Sequence, residues 1–178
     1  MDINQLETLI DEHGTALYRF CLRLCGNRAE AEDLYQDTFL KAVEQRHKID
    51  ASRNAKGFLY AMTVFTFKDK RRKVVRRGRL APSVPVEAAM ELGDETDLEA
   101  DLLSREECQA VRRIVAAMED RYRIPLYLHY TAEMTIGEIA LALRLPEGTI
   151  KSRMHKARTV IKKKLEAEHY GQAHRTTA

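Results

Sequence analysis

The chain has 178 residues, of which 44% are hydrophobic and 32% charged, with no Trp, 4 Pro and 8 Gly. This length suits one ordinary domain or two small ones, and the scarcity of breakers favours helix. No apolar run approaches the roughly 18–20 residues of a membrane span, and the polar start Met1-Asp2-Ile3-Asn4-Gln5 is not a secretory signal, so the sequence reads as cytoplasmic.

The net charge of +3 hides a pattern. Residues 1–77 carry +4, residues 78–107 carry −7 and residues 108–178 carry +6. Two basic blocks around an acidic middle suggest two nucleic-acid-facing modules joined by a segment that binds no DNA. The three cysteines, Cys21, Cys25 and Cys108, are too few and too odd in number for a disulfide framework. Cys21 and Cys25 share a helix face; buried thiols are favoured over a metal or redox pair, because no CxxC or HxxxH completes a site.

In chain order, Leu6, Leu9, Ile10, Leu17, Phe20, Cys21, Leu24 and Cys25 recur at helical spacing, with an interruption expected near Gly14 and a stop at Gly26-Asn27. Asn27 with Glu30 reads as the N-cap of a second helix reaching about His47. Arg46 to Gly57 reads as a loop. Phe58 to about Arg77 reads as a third helix, apolar first and then basic through Lys68, Lys70, Arg71, Arg72, Lys73, Arg76 and Arg77. From Gly78 to Leu103 the periodicity fails, Pro82 and Pro85 stop helices, and a flexible acidic linker is expected, with room for a short helix near Val86–Leu92. Ser104 to Glu107 reads as a capping box opening a helix to about Met118, followed by another from about Ile124 to Tyr130. Thr135 and Glu138 form a second capping box for a helix to Arg144. Leu145-Pro146-Glu147-Gly148 reads as a tight turn, a last helix runs from about Thr149 to Glu168, and the tail from Gly171 is expected to be disordered.

The expected fold class is all-α, with two small helical domains: residues 1–77, a linker 78–103, residues 104–168 and a tail 169–178. Within the second domain, a short helix, a Gly-containing turn and another helix make a helix-turn-helix between Met134 and Lys164. Ile150, Met154, Ala157 and Ile161 form one stripe, to be packed on Ile139, Ala140 and Leu143. Ser152, His155, Lys156 and Thr159 then face outward, flanked by Lys151, Arg153 and Arg158. Cations for phosphates beside short polar groups for base edges suit a major-groove reader, and the helix start at Gly148-Thr149 can meet a phosphate. A solvated basic face is the bland alternative.

Glu138-Ile139-Ala140, Leu145-Pro146-Glu147-Gly148-Thr149-Ile150-Lys151-Ser152-Arg153 and His155-Lys156-Ala157-Arg158 resemble the promoter-binding C-terminal domain of extracytoplasmic-function (ECF) sigma factors of the sigma-70 superfamily. The resemblance implies that this helix reads the minus-thirty-five element, through Pro146, Gly148, Thr149, Lys151, Ser152, Arg153, His155 and Lys156. Ala31 to Ala42 resembles the family's polymerase-docking helix. Its residues give a packing face (Ala31, Tyr35, Thr38, Phe39, Ala42) and an acidic stripe (Glu30, Asp33, Asp37, Glu44), which on a basic domain suits a protein partner. By resemblance that partner is core RNA polymerase, through the β′ coiled coil and β subunits, and the docking residues are Glu30, Asp33, Leu34, Gln36, Asp37 and Phe39.

The stretch Asn54 to Arg72 resembles the helix that engages the minus-ten element, and Ile49 to Asn54 the loop that captures a flipped base. Unstacking a base costs a few kcal/mol, which a pocket and a cationic strand path must offset. Asp50, Ser52, Arg53, Asn54, Lys56, Phe58, Lys68, Arg71 and Arg72 are the candidates there. Phe58 stands where the family usually has Trp, and Phe65 where it commonly has Asn; core packing is the expectation for Phe65 and Phe67.

The resemblance implies an alternative sigma factor under an anti-sigma factor, in many members membrane-anchored, with no cofactor. An autonomous helix-turn-helix regulator would explain residues 134–164 but not the docking helix. An enzyme is disfavoured: none of the six histidines (His13, His47, His129, His155, His169, His174) sits in an HExxH-like spacing, and no phosphate loop or nucleophile elbow occurs.

Overall fold

The computed structural model describes residues 1–48, 54–78 and 102–175. The described residues form seven α-helices and one short 3₁₀ turn, with no strand, in agreement with the all-α expectation. Residues 79–101, which hold most of the expected linker and the tentative helix at Val86–Leu92, lie outside the described residues, as do residues 176–178.

Helix α1 (Ile3–Cys25) starts with a capping box: the Gln5 backbone N–H donates to the Asp2 carboxylate, and the Gln5 side chain takes the Asp2 N–H. It ends where Gly26 turns left-handed at φ 77°. Gly14 does not interrupt it. This buried residue lets the Tyr35 hydroxyl of the next helix approach so closely that a Cβ would lie 2.8 Å from it. The glycine is a contact point, not a break.

Helix α2 (Arg28–Glu44) is capped by the Asn27 side chain, which accepts from the Glu30 N–H, and ends before the expected His47 with a 3₁₀ turn at Arg46–Lys48. Helix α3 (Ala55–Gly78) starts three residues earlier than expected, because Asn54 accepts the Gly57 N–H and so caps it. These three helices pack together around Leu17, Phe20, Leu24, Leu34, Leu59 and Tyr60, all at most 1% exposed. Phe20 meets Tyr60 edge-on at 5.1 Å.

Tyr60 carries the one buried side-chain polar atom without a hydrogen-bond partner among the described residues, its hydroxyl, and burial pushes that group up to about 12. A buried unsatisfied hydroxyl costs about 1–3 kcal/mol. Tyr60→Phe is therefore expected to be neutral or to stabilise by about 1 kcal/mol in thermal or urea unfolding. A loss of that size instead would mean that the hydroxyl has a partner.

In the second half, α4 (Leu102–Ala116) begins two residues before Ser104, so Ser104 lies inside the helix; the good helix formers Leu102 and Leu103 carry the turn further back. Helix α5 (Asp120–Tyr130) begins four residues before the expected Ile124. It accommodates Pro125 at the loss of one backbone bond. Helix α6 (Ile136–Leu143) has the expected Thr135–Glu138 capping box, and Arg144 closes it in the left-handed conformation at φ 54°.

Helix α7 (Glu147–Arg175) corrects two expectations. Glu147 and Gly148 are its first residues, because the Pro146 carbonyl accepts from Thr149 and Ile150. The helix also runs on past Gly171. Ile150, Met154 and Ala157 are buried against the α6 residues Ile139, Ala140 and Leu143 as the spacing required, with Ile161 partly buried beyond them.

Candidate nucleic-acid interface

Three surfaces hold the residues singled out from sequence. On α2, the positions 31, 34, 38 and 42 follow one helical face and are all fully buried. Leu34, expected as a docking contact, is thus a core residue: at 0% exposure it can touch no partner. Glu30, Asp33 and Gln36 are exposed. Asp37 pairs with Lys70 of α3 at 2.7 Å. Phe39 is partly buried and meets Tyr35 edge-on at 4.5 Å, while Tyr35 in turn meets Tyr18 at 5.5 Å.

Beside the acids lies an apolar shelf that the motif reading missed. Tyr35, Gln36, Phe39, Leu40 and Val43 line a shallow depression, in which Leu40 is 64% and Val43 38% exposed. The signal for it was present: Leu40 and Val43 are apolar yet fall off the 31–34–38–42 packing face. An exposed apolar surface flanked by charge suits contact with another protein.

The second surface is α3. Asp50, Ser52 and Arg53 lie outside the described residues. Asn54 is exposed and, besides capping α3, donates to the Glu138 carboxylate of α6. Lys56 and Phe58 are partly buried, and Phe58 packs on the core. Phe67 is buried, whereas Phe65 is only partly so and carries the Arg144 guanidinium over its ring at 5.4 Å. Arg71 donates to Asp120 of α5 at 2.6 Å and Arg72 to Asp69 at 2.7 Å. Lys68 is half-buried; burial first, and then the facing Arg153 guanidinium, holds its ammonium group below the ordinary lysine value.

The third surface is the start of α7. Pro146, Gly148, Lys151, Ser152, His155 and Lys156 are exposed together, Ser152, His155 and Lys156 as the helical geometry required, and a Cβ at Gly148 would meet nothing within 4 Å. Thr149 and Arg153 are partly buried at the edges of this face. The Ser152 hydroxyl donates to the Thr149 carbonyl at 3.0 Å, a local bond that a base edge can replace. Lys151 pairs loosely with Glu147, and Lys156 lies over the Tyr122 ring at 5.4 Å. Lys163 continues the basic face along the helix, with Lys162 at its edge, and both are exposed. The arrangement offers backbone N–H groups, cations and short polar side chains on one exposed helix, which suits a groove reader.

The cysteines belong to none of these surfaces. Cys21 is buried and Cys25 partly so, and burial pushes both thiols up to about 12, which keeps them protonated at neutral pH. Among the described residues no group of His, Cys, Asp and Glu is arranged to hold a metal ion, and no helix is long and apolar enough to cross a membrane.

Known proteins share this organisation. Residues 9–77 match the family model for sigma-70 region 2, and residues 108–161 that for sigma-70 region 4. The chain is 30% identical over 155 residues to the ECF RNA polymerase sigma factor SigL of Mycobacterium tuberculosis, covering 85% of this chain and 84% of that protein. It is 25% identical over 169 residues to the ECF RNA polymerase sigma factor SigW of Bacillus subtilis, covering 92% and 90%. Its fold is similar to that of the sigma factor RpoE in complex with the anti-sigma factor NepR from Bartonella quintana, with a TM-score of 0.78 at 22% identity, over 92% of this chain and 98% of that one. CnrH in complex with the cytosolic domain of CnrY is similar at a TM-score of 0.64 and 19% identity, over 90% and 87%.

Proposed function

Because the chain belongs to the ECF RNA polymerase sigma factors, we propose that its three surfaces divide the work of an alternative sigma factor among docking, promoter melting and promoter placement. The acidic residues Glu30, Asp33 and Asp37, with the shelf of Tyr35, Phe39, Leu40 and Val43, dock on core polymerase at the β′ coiled coil. Asn54, Lys56, Lys68, Arg71 and Arg72 engage the minus-ten strand, together with Asp50, Ser52 and Arg53 of the loop before them. The exposed start of α7, from Pro146 to Lys156, reads the minus-thirty-five duplex. The chain has no chemistry of its own, since the polymerase supplies it. It works in the cytoplasm, and an anti-sigma factor, membrane-anchored in the simplest arrangement, holds it inactive by covering the docking shelf.

One observation carries this reading: an acidic and apolar face on α2 stands in the same chain as two basic faces on α3 and α7. A self-sufficient DNA-binding regulator has no need of the first. The test is run-off transcription on a genomic DNA library with purified core polymerase, with and without the protein. Start sites that appear only on addition support the reading, and their aligned upstream sequences give both promoter elements. A chain that binds DNA tightly but not core polymerase would be an autonomous regulator instead.

The α7 face makes a finer expectation. Ser152→Ala should alter promoter preference with little change in overall affinity. Lys156→Ala should weaken binding to all sequences and lower the salt slope by about one unit. Equal sequence profiles and salt slopes for both variants and the parent, measured on a randomised duplex pool, would remove α7 as the reader.

A further inference from the structure

Helix α5 ends on an exposed tyrosine that belongs to none of the three surfaces. Tyr130 is 62% exposed, yet its hydroxyl is held in place. The Nε–H of Arg158 on α7 donates to it at 3.2 Å, with the guanidinium carbon 5.9 Å from the ring centre. His129 meets the same ring edge-on at 4.8 Å, and its own Nδ1 lies 2.9 Å from the Met134 carbonyl. The hydroxyl oxygen therefore accepts from Arg158, and its hydrogen is left to donate outward. Arg158 is exposed, and among the described residues no carboxylate pairs with it. A guanidinium and a phenol donor side by side, with no acid between them, make a grip for an anion.

The position of Arg158 on α7 says which anion. At about 100° per residue, it stands about 120° round the helix from Ser152, the centre of the outward face, and about 20° from Lys151. Lys156 and Arg153 turn to the opposite flank. A helix with its side chains is about 10–12 Å across, and the major groove is about 12 Å wide. With Ser152 towards the groove floor, the two flanks of α7 face the two sugar–phosphate strands. We propose that Tyr130 and Arg158 together bind one backbone phosphate of duplex DNA, the phenol donating a hydrogen bond and the guanidinium supplying the charge. The grip brings α5 into contact with DNA and reads no sequence, because a phosphate is the same at every base pair. It sets the angle at which α7 seats in the groove. The inference rests on the reading of α7 as the duplex reader.

The two groups differ in what they release. Arg158 displaces a counterion from the phosphate, and the neutral phenol displaces none. The affinity of the full chain for a randomised pool of duplexes of about 30 base pairs is measured against salt concentration, for the parent, Tyr130→Phe, Arg158→Gln and the double variant. Tyr130→Phe should bind about fivefold weaker at every salt concentration, with the slope unchanged. Arg158→Gln should bind more weakly and lower the slope by about one. In the Arg158→Gln background the Phe substitution should cost less than about twofold, because the hydroxyl is no longer aimed. The base preferences recovered from the pool should match those of the parent. Parent-like affinity for Tyr130→Phe, the result for a ring that stacks on bases or meets a protein, overturns the grip. So does an undiminished loss in the Arg158→Gln background, an altered base preference, or a thermal midpoint lowered by more than about 2 °C in Tyr130→Phe, which would make the hydroxyl a structural group. Lys156→Ala on the same pool separates the two readings. If it lowers the slope while Tyr130→Phe behaves as the parent, the grip falls and α7 remains the reader. If neither variant differs from the parent, or the parent binds no duplex, both fall.

Discussion

Replacing Asp33 and Asp37 with arginine is expected to lower affinity for core polymerase by about a thousandfold or more, with the fold intact. Removing one partner of a desolvated interfacial charge pair costs about 2–5 kcal/mol, and reversal adds repulsion. Two such positions exceed about 4 kcal/mol, or three decades in affinity. The fold tolerates the change because both side chains are on the surface. Asp33 is exposed, and the Asp37–Lys70 pair has side chains 43% and 36% exposed, a setting in which an ion pair contributes only about 0–1 kcal/mol. Leu40→Asp on the neighbouring shelf should weaken the same interaction without altering any ion pair. Affinity measured by fluorescence anisotropy on labelled core polymerase checks both, and parent-like binding by the double variant would place the docking surface elsewhere.

Ile150→Ala is expected to disable the α7 reader by a different route. Ile150 is fully buried in the first turn of α7, in the cluster that also holds Ile139, Leu143 and Met154. Its truncation leaves a cavity and costs about 2–5 kcal/mol. A domain of this kind has only about 5–15 kcal/mol in total, so the thermal midpoint should fall by about 10 °C. Sequence-specific duplex binding should fall with it, although no contact residue has changed. A midpoint within about 2 °C of the parent would mean that the α6–α7 packing tolerates the void.

The parts of this structure that depend on local chemistry were legible in the sequence. The Asn27 cap, the Thr135–Glu138 capping box and the Ile150–Met154–Ala157 stripe all follow from rules that span a few residues. Errors arose where a distant residue decides. Gly14 reads as a break until Tyr35 is placed against it, and Leu34 reads as a contact until α1 and α3 close over it. Pro125 hid the first turn of α5, because proline is a local signal for a boundary and the packing of Arg123 and Ile124 overrides it. Arg123 itself had no signature: a buried guanidinium answering a carbonyl 99 residues away cannot be read from neighbours in sequence. On the candidate surfaces, the exposed start of α7 came from periodicity, while Leu40 and Val43 became visible only once the buried face of α2 was fixed.

The glycine beneath Tyr35 links the interior of the first half to its outer surface. Tyr35 lines the apolar shelf of α2, yet its ring height is set by what α1 offers at position 14, where there is no side chain. A methyl group there would sit 2.8 Å from the hydroxyl and lift the ring, and with it the edge-on stack that leads to Phe39. The contour met by a partner is thus tuned from behind, by an atom that is missing from the far helix, and a change of partner preference could arise at a residue that no partner touches.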